Sequence, residues 1–141
     1  MSNLILIILT IIISAAEPFL PIGTIAAAWI AVVGVKKFDS SLGGIFLAMI
    51  AGIVRDVVTV NKLGVSSLVL LFVWAAASLG VSKFGHPLAV VIASSFVASL
   101  IFDLISGGIN PLAAGFSSLI SLIIFLAWTN FSQRDNTIRL R

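Results

Sequence analysis

The charged side chains of this sequence stand in ones and twos between long apolar runs, and that spacing constrains the fold more than any motif does. The charge-free blocks are 1–16, 18–35, 40–54, 63–82, 87–102 and 104–133. A charge at mid-bilayer costs roughly 2.5 to 3.5 kcal/mol on insertion scales, so blocks of this length outline membrane spans. The alternative, a water-soluble domain, needs a charged shell that this chain cannot supply. It is 60% apolar and 9% charged, against about 45–50% and 25% in an ordinary soluble domain. Soluble enzyme classes are excluded on that ground. The absence of cysteine removes disulfides, thiolate metal sites and cysteine nucleophiles together. A single histidine, His86, argues against a His-ligated metal, so no metal or cofactor is expected. The net charge of +3 comes from scattered cations with no basic stripe, which argues against nucleic acid.

The blocks predict an all-α, polytopic membrane helical bundle with about six transmembrane helices, at 3–17, 21–35, 41–60, 65–82, 87–106 and 111–131. These form a single domain over 1–132, followed by a polar cytoplasmic tail at 133–141. Pro18 and Pro21 forbid one continuous helix through the first two blocks and predict a turn or shallow elbow there. Pro87 and Pro111 mark helix starts, with Asn110 as the N-cap of the last helix. The first two helices are short for a bilayer. With six spans, Lys36, Lys37, Lys83, Arg134, Arg139 and Arg141 fall on one side, and Lys62, with Arg55 close by, on the other. That bias places both termini in the cytoplasm. The apolar start lacks a basic n-region and reads as a retained first helix.

The third helix carries the clearest pattern. Gly44, Ala48 and Gly52 recur every fourth residue, a ridge of small side chains on which another helix backbone can approach closely, and Asp56 continues it. Arg55 points about 100° away from Asp56 and is expected to snorkel outward. Ser95, Ser99 and Asp103 repeat the spacing on the fifth helix and put the second acid at similar depth. Two readings of the acids stand side by side. In one, each caps a helix end and bonds the following turn, at 59–62 or 106–110. In the other, Asp56, Ser95, Ser99 and Asp103 form a polar cluster at a groove that receives a ligand or a partner helix; proton or cation translocation is a third possibility. No nucleophile, base and orienting group converge, so an enzyme is not expected. Glu17 reads as a solvated loop charge, His86 as an interfacial loop residue, and Gly107-Gly108 as a flexible turn. Trp29, Trp74 and Trp128 read as packing or interface anchors, Trp128 fitting the headgroup level.

Gly52-Ile53-Val54-Arg55-Asp56, continued by 57–62 and Leu63-Gly64, resembles the signature of the rod shape-determining protein MreD family. That signature is a glycine, an aspartate four residues on, and Leu-Gly seven residues later at the mouth of the next helix. Ala48 stands where the family often has glycine, and Asp103-Leu104-Ile105-Ser106-Gly107 looks more like its usual aspartate turn. The resemblance implies a non-enzymatic component of the bacterial inner membrane within the cell-elongation machinery. It implies a single-span MreC-like partner, proximity to peptidoglycan synthases, and a fold like the substrate-binding S-components of energy-coupling-factor transporters. On this reading Gly44, Ala48, Gly52, Asp56, Leu63 and Gly64 meet the partner. The alternative expectation is an S-component-like carrier of a vitamin or other small molecule.

Overall fold

The computed structural model describes residues 3–19, 24–36, 41–59, 63–108 and 110–138. Pro21, Lys37, Lys62, Arg139, Arg141 and the turn 60–62 lie outside the described residues. Among the described residues there are six α-helices, α1 (Asn3–Ala16), α2 (Ile25–Lys36), α3 (Ser41–Thr59), α4 (Val65–Phe84), α5 (Pro87–Ile105) and α6 (Pro111–Ile138), with a 3₁₀ turn at Glu17–Phe19. Four of them, α3 to α6, are long and apolar enough to cross a membrane. The other two are not. α1 has 14 residues and α2 has 12, about 21 and 18 Å at 1.5 Å per residue, against roughly 30 Å of hydrocarbon. The last helix runs beyond its expected end at 131, because α6 continues through Ile138. No glycine or proline interrupts 131–138.

α2 is the axis of the bundle. It packs against α1, α3, α4, α5 and α6, and every residue from Ala26 to Gly34 is buried. A helix apolar on all faces belongs inside a fold, and here alanine makes that possible. Ala26, Ala27, Ala28 and Ala31 let five neighbours close in on one short rod. Around it, α3 pairs with α4, α4 with α5, α5 with α6 and α1 with α3. The outer faces stay apolar, as at Leu4, Ile12, Phe46, Leu68, Phe96 and Leu119. Such a surface suits a lipid solvent. In lipid, however, burying an aliphatic side chain yields little, since acyl chains are as apolar as leucine. Close packing and internal polar contacts must hold the helices together.

Those contacts sit at the helix junctions. Gly85 closes α4 with φ 66° and donates its N–H to the Val81 carbonyl at 3.0 Å. The next residues, His86 and Pro87, begin α5. Asn110 caps α6, its Oδ1 accepting the Ala113 N–H at 3.3 Å. The Thr24 and Ser117 hydroxyls lie 3.2 Å apart, and Ser117 also donates to the Thr24 carbonyl at 3.1 Å. Trp29 donates from Nε1 to Thr10 at 2.9 Å. Its ring meets Trp128 with centroids 5.5 Å apart, so Trp128 packs on Trp29 where a headgroup anchor was expected.

Candidate functional site: the clasped polar end of the bundle

Because successive helices run in opposite senses, the C-terminal ends of α1, α3 and α5 meet the N-terminal ends of α2, α4 and α6 at one end of the bundle. Glu17, Asp56 and Asp103 gather there. Asp56 is fully buried. Its Oδ2 accepts the Gly64 N–H at 2.6 Å and its Oδ1 the Ser66 N–H at 3.2 Å. One carboxylate at the end of α3 thus satisfies donors that the first turn of α4 leaves orphaned. It also places negative charge at a helix N-terminus. The capping reading therefore describes Asp56, although its partners lie beyond the 59–62 turn. Gly64 has φ 99°, a left-handed conformation that glycine reaches without a Cβ clash. Leu63, next to it, is exposed.

The small-residue ridge serves the same pair of helices. A Cβ on Gly52 would overlap the backbone of Ser67, and one on Gly44 would overlap the Trp74 indole. Ser67 Oγ also reaches back to donate to the Met49 carbonyl at 3.2 Å. The face formed by Gly44, Ala48 and Gly52, expected to receive a partner, is filled by α4 of the same chain. Gly52, Asp56 and Gly64 form one device, a clasp that shuts the α3–α4 hairpin.

Two charged residues behave against expectation. Glu17 is buried, not solvated, and Arg55 turns inward to meet it. Arg55 Nη1 lies 2.7 Å from Glu17 Oε1, with side-chain exposures of 15% and 3%. The other carboxylate oxygen of Glu17 accepts the Ala26 N–H at 2.5 Å, so it serves the first turn of α2. The Arg55 guanidinium rests 3.7 Å from the centre of the Phe102 ring, and Asp56 and Asp103 add to the attraction of Glu17. An interior position gives arginine a carboxylate and an aromatic face at once. Snorkelling gives only water, and it loses. The sequence signal was present: a lone acid before Pro18 and a lone cation near the end of α3 fall at the same depth.

Asp103 is half-buried and accepts the Asn110 N–H at 3.2 Å, bridging the α5–α6 turn. Ser95 is satisfied within α5 by the Val91 carbonyl at 2.8 Å. Ser99 is buried with no hydrogen-bond partner among the described residues. The four residues expected as a ligand cluster thus divide: Asp56 belongs to α4, Asp103 to its own turn, and the serines to the helix interior. Asp56→Ala is expected to lower stability by about 1–3 kcal/mol, the usual cost of leaving buried donors unpaired. Asp56→Asn, which keeps one acceptor oxygen, should recover part of that loss. Both are read from unfolding midpoints in detergent. Comparison with protein-family models, curated proteins and solved structures finds no match.

Proposed function

We propose that this chain is a non-enzymatic membrane scaffold of the bacterial cell-elongation machinery, which binds a single-span MreC-like protein and supports peptidoglycan synthesis. In this reading all six helices lie in the inner membrane in an S-component-like arrangement, α1 and α2 completing the bundle beside four full spans, with both termini cytoplasmic. The observation that carries it is the clasp. Gly52, Asp56 and Gly64, the residues through which the sequence resembles the MreD family, have a physical purpose here: they lock two helices at a fixed separation. The acids at that end are engaged by backbone N–H groups or by Arg55, which suits a rigid platform better than a pocket that must bind and release a small molecule.

Since α4 occupies the small-residue ridge, the partner meets the opposite side of the hairpin. There Leu42, Phe46, Met49, Ile53 and Val57 form an exposed ridge along α3, with exposed Leu63 beyond its end. Ile53→Trp and Val57→Trp should reduce co-purification with an MreC-like partner by about tenfold, roughly 1.4 kcal/mol. Unfolding midpoints should not change, because both side chains already point outward. Undiminished co-purification, together with tight binding of a vitamin-like compound to the purified chain, would replace the scaffold with the carrier.

A further inference from the structure

A groove on the other half of the molecule has no place in the scaffold. α4 and α5 come close where Gly80 faces Val90, and a Cβ on Gly80 would lie 2.7 Å from a Val90 methyl. Beside this contact opens a groove of about 580 Å³. Its α4 wall is Phe72, Val73, Ala76, Gly80 and Phe84, with small residues toward the middle and aromatic rings at the ends, and Ala89 and Ala93 of α5 face them. The lining is otherwise apolar save for Ser94 and His86, and the Ser94 hydroxyl is bonded to the Val90 and Val91 carbonyls at 2.7 and 3.1 Å.

Length and charge select the occupant. From Phe72 to Phe84 the groove follows about 18 Å of helix, close to the roughly 15 Å of one leaflet, half of a 30 Å hydrocarbon core. A partner's transmembrane helix would need a track along all of α4, but the lining stops seven residues short of Val65. Lys83 stands exposed in the last turn of α4, next in sequence to the lining residue Phe84. It is seven residues beyond Ala76 and so on the same helix face. His86 lines the same opening and brings an imidazole N–H donor. A cation and a donor at the end of an apolar slot one leaflet deep match a phosphate headgroup above its acyl chain.

The geometry points to this groove as the seat of one acyl chain of an anionic phospholipid, its phosphate held by Lys83 and His86. The proposal rests on the chain being embedded in a membrane and is independent of the MreC-like partner. The test is native mass spectrometry of the full chain, purified from membranes in mild detergent with equimolar phosphatidylglycerol and phosphatidylcholine. The wild type should retain one phosphatidylglycerol. Ala93→Phe, which fills the slot from an already exposed position, should lose it, and Lys83→Gln should cut the preference for the anionic lipid about fivefold. Leu119→Phe on the outer face of α6 should behave as wild type, and unchanged unfolding midpoints show that each variant is folded. A wild type that retains no lipid, retention by Ala93→Phe equal to that of Leu119→Phe, or a dimer that Ala93→Phe dissociates would each overturn the assignment. Failure to recover the chain from membranes would instead overturn the membrane reading itself.

Discussion

Arg55→Met is expected to lower the stability of the detergent-solubilised protein by about 3–5 kcal/mol, the cost of stranding one member of a buried ion pair. The removed partner leaves Glu17, 3% exposed, with the Ala26 N–H as its remaining contact among the described residues. Loss of the stack on Phe102 adds a smaller term, about 0.5–2 kcal/mol. The double variant Glu17→Gln/Arg55→Met should recover most of the loss, because no uncompensated charge remains and methionine can fill the space. Thermal unfolding followed by helical circular dichroism separates these outcomes. If Arg55→Met unfolds at the wild-type temperature, the pair is not desolvated and contributes nothing to the bundle.

Gly52→Val should have an effect of the same order. Overpacking ordinarily costs about 1–3 kcal/mol because neighbouring side chains rearrange. Here the neighbour is the Ser67 backbone, which cannot rotate away. The helices must separate along the pair, and separation draws Gly64 and Ser66 away from Asp56. The two losses share one displacement, so they arrive together, and an effect beyond about 3 kcal/mol is expected. Gly115 on α6 is the matched control. No atom lies within 4 Å of the position its Cβ would take, so Gly115→Ala should be neutral or stabilise by up to about 1 kcal/mol. Equal unfolding midpoints for Gly52→Val and wild type would mean that α3 and α4 do not touch at that point.

The difference between these two sets of residues shows what can be read along a chain. Gly52, Asp56 and Gly64 are joined by local spacing, so the amino-acid order alone marks them as one unit. What the unit embraces is not marked. A ridge every fourth residue signals close approach by some helix, and whether that helix belongs to the same chain depends on how α4 folds back. Glu17 and Arg55 lie 38 positions apart; their common depth follows from the spans, but no periodicity pairs them, and the pairing itself is invisible. The groove between α4 and α5 is equally invisible in sequence, because alanine and glycine on a lipid-facing helix look the same whether they border a slot or a flat wall.

The class of fold follows from amino-acid order: scarce charges cannot make an aqueous surface, and their intervals, with the prolines and glycines between them, set where helices run and end. Which helix is central emerges only from the packing, and it is α2, the shorter of the two helices that fall short of a span. A 12-residue rod lined with alanine can be enclosed on every side only after longer helices have surrounded it, and the enclosure brings Glu17 to Arg55. Hydropathy is a property of segments, whereas enclosure is a property of their arrangement. In lipid, where apolar burial is nearly neutral, close backbone approach and a few desolvated polar contacts choose among the arrangements.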